Sequence, residues 1–226
     1  MTSTSAPAPA KWAEFWNAQT TALNSDLATD QTDRYGAELR LLFPTTEPKR
    51  VLELGCGDGA LFEALGFDRA DRYLGVDFSA SMLDEMRTRH PGVELVESSG
   101  HCFERDETFD LIFSAATVQY FDRAMLREHV ERAARMLAPG GRLVCASTPW
   151  RRMRWAYACG DVARRSRRRF PVALLAHLKR LIGHDNMGYW HDLPEVRAMA
   201  ADVGLSVEAY GSIHYPYRVH FVFERR

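Results

Sequence analysis

The segment that most constrains the fold is VLELGCGDGALF, residues 51–62, where a short apolar run meets three glycines at alternate positions. The run is apolar apart from Glu53 and breaks at a glycine, so it predicts a buried parallel strand. Glycines have no Cβ to keep a ligand away from the backbone, and they adopt positive φ at little cost. A glycine loop ahead of a helix-forming stretch offers free N–H groups to a small anionic group.

Two classes of cofactor fit this loop. Residues 55–60, GCGDGA, satisfy the dinucleotide pattern G-x-G-x-x-G/A, and Asp77 lies about as far downstream as the ribose-binding acid of a nicotinamide site. Glu53 and the third alternate glycine, Gly59, favour another class. The arrangement E-x-G-x-G-x-G resembles motif I of the class I S-adenosylmethionine (SAM) dependent methyltransferases. Their ligand carries an amino-acid end with a carboxylate and an ammonium group, and a carboxylate beside amide donors suits that zwitterion.

Three later segments resemble further parts of this family, in the family's order. They are RYLGVDFS with Asp77 at its end, FDLIFSAATVQYF at 109–121, and a Pro-Gly-Gly turn ahead of a fifth strand at 142–147. The resemblance implies an α/β fold with a Rossmann-like doubly wound sheet of seven strands. The implied strand order is 3-2-1-4-5-7-6 with strand 7 antiparallel, together with an N-terminal helical cap and a helical insertion after strand 5.

The resemblance also implies which residues bind the cofactor. Asp77 would accept hydrogen bonds from the ribose hydroxyls, and Phe78 would offer a flat apolar face to adenine. Many relatives carry an Asp-Ala pair after the third strand, whose acid bonds the adenine amino group. This chain has Ser99 and Gly100 there, so we expect Ser99 or His101 to contact adenine instead. The predicted cofactor-binding residues are Glu53, Gly55, Cys56, Gly57, Gly59, Asp77, Phe78, Ser79, Met82, Ser99, Gly100, His101, Ala115 and Trp16.

The acceptor is expected beyond the fourth strand, where small residues leave room for the sulfonium. The D/N-P-P-Y motif of enzymes that methylate DNA bases or glutamine is missing there, which disfavours both reactions. The predicted substrate-binding residues are Gln119, Tyr120, Trp155, Tyr189, Tyr215 and Tyr217. The candidates for a catalytic base are Tyr120, His191 and His214, since a histidine suits proton transfer near neutral pH.

The 226 residues suit one domain with one or two additions. The predicted organisation is a disordered tail at 1–10, an N-terminal helical cap at 11–48, a SAM-binding core at 49–149, a basic helical insertion or lid at 150–190, and the C-terminal part of the fold at 191–226. The four cysteines show no C-x-x-C pair, which predicts reduced thiols, a cytoplasmic protein and no metal site. The first ten residues lack a basic start and an apolar core, so neither secretion nor membrane spanning is expected.

Positive charge is concentrated after the fifth strand. Residues 150–184 hold ten basic side chains against one acidic one, although the whole chain has a net charge of −1. This segment is interpreted as a solvated helical lid, or as a surface for an anionic substrate, an acidic carrier protein or an anionic membrane.

The predicted function is transfer of a methyl group from SAM to a small-molecule acceptor, with S-adenosylhomocysteine as the other product. Acidic, carrier-bound and lipid-linked acceptors are all open at this point. The alternatives are a module that binds SAM or S-adenosylhomocysteine without turnover, and a nucleic-acid methyltransferase that uses the basic insertion, although nucleic acid is not the expected partner. A nicotinamide oxidoreductase is disfavoured by Glu53 and the Pro-Gly-Gly turn.

Overall fold

The structure is a computed structural model that describes residues 29–44, 48–162, 174–175, 178 and 187–225. The strands are β1 Arg50–Leu54, β2 Arg72–Asp77, β3 Glu94–Glu97, β4 Phe109–Ala115, β5 Leu137–Pro149, β6 Leu205–Gly211 and β7 Arg218–Arg225. The helices are α1 Thr29–Arg40, α2 Ala80–Arg89, α3 Arg123–Met136, α4 Arg154–Cys159 and α5 Leu193–Asp202. The strands form one sheet in the order β3-β2-β1-β4-β5-β7-β6.

The pairing of the strands confirms the predicted topology. The strands from β3 to β5 pair in parallel, and β7 runs antiparallel to both β5 and β6. In such a sheet, the carboxyl ends of the parallel strands share one edge, and ligands bind at that edge. The loops after β1, β2, β3, β4 and β5 therefore converge.

The central strands are nearly continuous apolar runs because the sheet is covered on both faces. Alternate residues of β1 enter different clusters: Leu52 and Leu54 belong to one, and Val51 to the other. α3 and α5 pack on the first cluster, whereas α1 and α2 pack on the second. Each face is thus buried by a pair of helices, which leaves the carboxyl edge as the place for a site.

The segment after the glycine loop differs from the prediction. Residues 60–66 form consecutive turns, and a 3-10 helix follows at Phe67–Arg69, where the sequence predicted a helix-forming stretch. The Phe62 N–H bonds to the Gly59 carbonyl over three residues, and Gly66 adopts a left-handed conformation with φ 77°. These short-range bonds replace a regular helix and allow Phe62 and Phe67 to be buried together.

The Pro-Gly-Gly segment also differs from its predicted form. It lies inside β5, which begins at Leu137 rather than at residue 142. Phe109 pairs with Leu137 and Leu111 with Arg142, so the three extra residues form a bulge against β4. Bulges accommodate added residues by bending one strand locally while pairing continues on either side.

The N-terminal helical prediction is only partly covered by the described residues. α1 ends at Arg40, ahead of Pro44, and Leu39, Leu42 and Phe43 are buried as expected. The predicted tail and residues 11–28 lie outside the described part of the chain. Within that part, no helix combines the length and apolar character that a bilayer span needs.

Candidate functional site

The glycine loop after β1 is tied to the end of β2. The N–H groups of Gly55 and Cys56 donate to the Val76 carbonyl at 2.7 and 3.1 Å, and the Gly57 N–H donates to Asp77 Oδ2 at 2.9 Å. All three loop glycines have positive φ. A Cβ on Gly57 would have no atom within 4 Å, so the backbone here faces open space that a ligand can approach.

Asp77 is buried at the carboxyl end of β2 and organises the residues around it. Besides Gly57, its carboxylate accepts the Ser79 N–H at 2.9 Å. Burial raises the pKa of this carboxyl, while the backbone hydrogen bonds oppose the rise. Each carboxylate oxygen has a second lone pair, so Asp77 can still accept hydrogen bonds from a pair of ribose hydroxyls.

The residues after Asp77 lead into α2 as predicted. Phe78 is partly exposed, and Ser79 caps the helix by accepting the Met82 N–H at 3.4 Å. Met82 is buried in the first turn of α2. Because Phe78 directly follows Asp77 and is partly exposed, it borders the predicted ribose site.

Glu53 is buried within β1 and is paired with a tyrosine of the neighbouring strand. The Tyr73 hydroxyl donates to Glu53 Oε2 at 2.6 Å. Burial raises the pKa of Glu53 to about 8, although the Tyr73 hydrogen bond opposes this rise. Glu53 is opposite Gly75 in the sheet register, where an added Cβ would lie 3.1 Å from the Tyr73 hydroxyl. The glycine therefore leaves room for this buried pair.

The loop after β4 contacts the glycine loop directly. A Cβ on Gly55 would lie 2.2 Å from Thr117 Oγ1, which donates to the Ala115 carbonyl at 3.1 Å. Ala116 has a positive φ of 54°, which is unusual for a residue with a side chain. The close contact brings Ala115 to the region predicted for the sulfonium, between the glycine loop and the acceptor side.

The loop after β3 lies beside Asp77. The Ser98 N–H donates to the Asp77 carbonyl at 2.9 Å, and a Cβ on Gly100 would lie 3.3 Å from Leu54 Cβ. Ser99 Oγ and His101 Nδ1 are 2.7 Å apart, and both side chains are buried. The structure thus gathers the predicted ribose and adenine residues at the same edge.

The acceptor side is covered by the chain segment that precedes α5. The Tyr189 N–H donates to the Gln119 carbonyl at 2.7 Å, and a Cβ on Gly188 would lie 2.1 Å from the same oxygen. Gln119 and Tyr120 belong to a 3-10 helix, Val118–Tyr120, that follows the β4 loop. Gly188 and Tyr189 therefore lie against the 3-10 helix that holds Gln119 and Tyr120, both predicted to bind substrate.

A row of aromatic rings from separate parts of the chain begins at Trp190, the residue after Tyr189. The neighbouring rings are Trp190–Tyr157, Tyr157–Tyr217, Tyr217–Tyr215 and Tyr215–Tyr35, with centroids 4.7 to 6.2 Å apart. They come from α4, α1 and the connections before α5 and β7. Tyr215 and Tyr217, both predicted to bind substrate, are part of this row. Trp155 and Tyr189 are more exposed than their neighbours.

A cation is located beside these rings. The Arg218 guanidinium lies 6.0 Å from the Tyr215 ring centroid and 5.5 Å from that of Tyr217, distances typical of cation–π contacts. Its Nη1 donates to the Ser147 carbonyl. Arg218 pairs with Pro149, so it stands at the carboxyl end of β5. A guanidinium has five N–H donors, and those left over suit an anionic group.

The three candidate bases are not gathered around one point. His214 Nδ1 lies 2.6 Å from Glu38 Oε2, and Glu38 Oε1 lies 3.0 Å from His220 Nε2. Burial opposes ionisation of Glu38, but hydrogen bonds from His214, His220 and neighbouring groups outweigh it and lower the pKa to about 2. Burial lowers the pKa of His191. Tyr120 packs against the core beneath. Their catalytic roles remain predictions.

Several residues at this edge escaped the sequence interpretation. Tyr73, Glu38 and Arg218 each reach the site through a partner distant in sequence. One signal was available, because a glycine inside a buried strand marks a close approach of other groups. Gly75 is such a glycine, and its neighbours include Tyr73 and Cys56.

Some predictions lie outside the described residues. Trp16 is one, and most arginines of the basic insertion are others. Leu174, Leu175 and Leu178 belong to the insertion and are described, and their side chains are exposed rather than packed on the core. Over the ranges that the structure covers, no cluster of three His, Cys, Asp or Glu residues could hold a metal ion.

Comparisons with known proteins find a family model and several relatives that resemble this chain in sequence. A family model described as a methyltransferase domain matches residues 51–141. A trans-aconitate 2-methyltransferase of Methylobacterium nodulans is 37% identical over 120 residues, which cover 50% of this chain and 43% of that protein. The nodulation protein S of Rhizobium tropici is 33% identical over 153 residues, covering 61% of this chain and 64% of the relative. The match to the first of these relatives thus spans less than half of that relative's length.

Solved structures share the fold over almost the whole chain. Streptomyces venezuelae DesVI aligns with a TM-score of 0.66 at 19% identity and covers 88% of this chain and 93% of its own. The N-methyltransferase NodS from Bradyrhizobium japonicum, in complex with S-adenosylhomocysteine, aligns with a TM-score of 0.64 at 19% identity, covering 95% and 97%. At this identity the likeness supports the fold, and the match of residues 51–141 supports the family resemblance seen in the motifs.

Proposed function

Since the chain carries a methyltransferase domain with the class I fold, we propose that it transfers the methyl group of SAM to a carboxylate of a small-molecule acid. The observation that supports SAM as the cofactor is the glycine loop. Its backbone faces open space at Gly57, whose N–H donates to Asp77, and Glu53 precedes the loop in β1. Glu53 would face the ligand's ammonium group and Asp77 its ribose. Ser99, Gly100 and His101 would surround the adenine.

The proposal of an acidic acceptor is supported by Arg218. Its guanidinium lies against Tyr215 and Tyr217 at the carboxyl end of β5. It donates to the Ser147 carbonyl, one residue after the Ala146 carbonyl that accepts the Ala116 N–H from the loop after β4. Hydrogen bonds between a guanidinium and a carboxylate are stronger than neutral ones and fix orientation. The name trans-aconitate 2-methyltransferase, borne by several relatives, also points to a carboxylate compound.

A carboxylate acceptor explains how transfer would proceed without a dedicated base. A carboxylate is ionised near neutral pH and can attack the methyl carbon in line, with no proton to remove. The protein then has to align the two reactants and exclude water. This fits the engagement of His214 with Glu38 and the burial of His191. Carrier-bound and lipid-linked acceptors depend on the basic insertion, most of which lies outside the described residues.

The test is turnover of methyl-labelled SAM with a panel of small mono-, di- and tricarboxylic acids, each paired with its neutral amide. Methyl esters identified by mass spectrometry, formed together with S-adenosylhomocysteine, are the expected products. Tight binding of S-adenosylhomocysteine without turnover of any acid would favour a SAM-binding module. Methylation of amides as fast as acids would contradict the acidic acceptor.

Arg218→Gln isolates the acceptor part of the proposal. The variant should raise the KM for acids about tenfold to a hundredfold, the loss expected for one charge-assisted hydrogen bond, with the KM for SAM unchanged. Arg87→Gln is the matched control, because Arg87 is exposed on α2 and pairs only with nearby Asp84 in the contacts described. Equal behaviour of the two variants would remove Arg218 from the acceptor site.

A further inference from the structure

A bulge in β5 lies opposite β7, and a histidine side chain bonds to the backbone that the bulge displaces. Two residues of β5, Ala146 and Ser147, lie opposite a single residue of β7, His220. Ser147 has a positive φ of 56°, a conformation that bulges usually give to glycine. An extra residue in a bulge loses its partner in the strand ladder, and the Ser147 N–H donates instead to His220 Nδ1 at 3.1 Å. The buried imidazole thus satisfies this backbone group.

The contacts of His220 fix which of its nitrogens carries the proton. A backbone N–H only donates, so Nδ1 is the acceptor and is unprotonated. Burial lowers the pKa of His220, although the Glu38 carboxylate opposes this, so the ring is neutral near pH 7. The single ring proton is then on Nε2, which donates to Glu38 Oε1 at 3.0 Å.

Glu38, on α1, anchors this histidine. Its Oε1 also accepts the Ile213 N–H at 2.7 Å, and its Oε2 accepts from the backbone N–H and Nδ1 of His214 at 3.2 and 2.6 Å. Burial opposes ionisation, but the hydrogen bonds lower the pKa of Glu38 to about 2, so the group is a carboxylate at neutral pH. A carboxylate only accepts, which keeps the His220 proton on Nε2 and leaves Nδ1 to accept from Ser147.

The carbonyl of Ser147 connects the bulge to the proposed acceptor cation. It accepts a hydrogen bond from Arg218 Nη1, and the same guanidinium lies 5.5 Å from the Tyr217 ring centroid. Arg218 and His220 are two positions apart on β7, so their side chains project from the same face of the sheet. His220 thus holds the N–H of Ser147, while the carbonyl of Ser147 holds Arg218. The orientation of the guanidinium therefore depends on the conformation of the bulge.

We propose that His220 is a positioning residue for the acceptor site. It holds Ser147 in the left-handed conformation, and Ser147 in turn holds Arg218 where a carboxylate of the acceptor can bind. Glu38 sets the tautomer of His220 that this requires. Arg218 contacts the acceptor, whereas the other three residues act through it. This inference rests on the proposed function, because it assumes that Arg218 binds the acid.

The test compares two replacements of His220. Asparagine places a carbonyl oxygen close to the position of the ring's Nδ1 and can accept the Ser147 N–H, whereas leucine fills a similar space and cannot accept. With SAM saturating, His220→Leu should raise the KM for the acid about tenfold, and His220→Asn should stay within about threefold of the wild type. The dissociation constant for S-adenosylhomocysteine should be unchanged in both. A wild-type KM in His220→Leu, or a KM equally raised in both variants, would overturn the inference.

Val222→Ala is the control for lost stability. Val222 is buried two positions further along the same face of β7 and pairs with Val144, so its truncation destabilises the sheet at a distance from the bulge. This variant should keep the wild-type KM for the acid. A rise as large as that of His220→Leu would assign the effect to stability and overturn the inference.

The tautomer is tested in the wild type, which keeps the inference falsifiable if His220→Leu fails to fold. In ¹⁵N NMR of histidine-labelled protein at pH 7, the signals absent from His220→Asn identify His220. They should show a neutral ring with the proton on Nε2 and none on Nδ1. A proton on Nδ1 would overturn the inference, because that nitrogen could not accept from Ser147.

A double-mutant cycle shows whether His220 acts through Arg218. In an Arg218→Gln background, His220→Leu should raise the KM for the acid by less than about twofold, because the group that it positions is gone. A full additional rise would give His220 a separate role and overturn the inference. If no acid is turned over, or if Arg218→Gln alone leaves the KM unchanged, the proposed acceptor fails together with this inference. If Arg218→Gln raises the KM and His220→Leu does not, only this inference fails.

Discussion

The protonation of Glu53 leads to a quantitative prediction about cofactor binding. Burial raises its pKa to about 8, so in the ligand-free protein at pH 7 about nine tenths of the molecules carry a proton there. An ammonium group placed beside the carboxyl favours its charged form and should return the pKa to the ordinary acidic range. Binding of S-adenosylhomocysteine at pH 7 should therefore release nearly one proton per site.

The magnitude follows from the distance between pKa and pH. Removing the proton at pH 7 costs about 1.4 kcal/mol for a group with a pKa near 8, which is about a tenfold loss of affinity. The cost doubles at pH 6. The dissociation constant for S-adenosylhomocysteine should thus fall about tenfold per unit between pH 6 and about 7.5. The effect of pH on folding stability in the ligand-free protein has the opposite sign. Because its pKa is raised, Glu53 contributes stability that is fully present below about pH 4.5 and is lost as the pH rises to about 8.

The assay is calorimetry at pH 7 in two buffers that differ in ionisation enthalpy, such as phosphate and Tris. The difference in apparent binding enthalpy gives the number of protons released. Glu53→Gln is the matched variant and should bind S-adenosylhomocysteine more weakly, with almost no proton released from this site. Because the pKa of Asp77 is raised too, the variant also shows which of the two carboxyl groups releases the proton. Equal enthalpies in the two buffers for the wild type, or the same release from the variant, would refute the reasoning.

Three further predictions concern groups that organise the same edge. Gly55→Ala should destabilise the fold by about 1 to 3 kcal/mol in chemical denaturation, because its Cβ would meet Thr117 at 2.2 Å. Gly57→Val should stay folded, because no atom lies within 4 Å of an added Cβ, and should lose S-adenosylhomocysteine binding. Asp77→Ala should weaken that binding by about 1.5 to 3 kcal/mol or more, since the carboxylate also holds the Gly57 N–H; unchanged affinity in a folded variant would show that the ribose lies elsewhere. Glu38 has its pKa lowered to about 2, so it should contribute up to about 3 kcal/mol of stability that is present above pH 4.5 and lost as pH falls towards 2; a Glu38→Gln protein with an unchanged acid-unfolding profile would contradict this.

The parts of the site that the sequence predicted are those set by short segments. The glycine loop, Asp77 and the Ser79 cap each depend on residues within a few positions, and the strand order followed from motifs that occur in a familiar order. The glycine loop itself was predicted, but the helix after it was not formed. The left-handed conformation of Gly66 and the burial of Phe62 accompany the turns that replace the helix. Neither feature can be predicted from the spacing of the apolar residues.

The partners of the buried charges could not be predicted, because they come from distant parts of the chain. Glu38 meets His214 and His220, which lie 176 and 182 residues away. A histidine in a sequence suggests a base, but whether it serves as one depends on what its two nitrogens contact. The sequence nominated His214 as a candidate base, and that role stays a prediction, while its carboxylate partner is known only from the fold.

Backbone strain at the predicted transfer site is a further property that no sequence motif predicted. Ala116 and Ser147 have φ of 54° and 56°, values that cost energy for residues with a Cβ. Ala116 directly follows β4 and Ser147 lies in the neighbouring strand β5, where the Ala116 N–H donates to the Ala146 carbonyl at 3.1 Å. Glycine at either position would relieve the strain, yet the chain has side chains there. Ala116 adjoins Thr117, which contacts Gly55, and Ser147 accepts a hydrogen bond from Arg218, so the strained pair joins the cofactor loop to the proposed acceptor cation. The cost is consistent with a backbone held in position for the alignment of donor and acceptor.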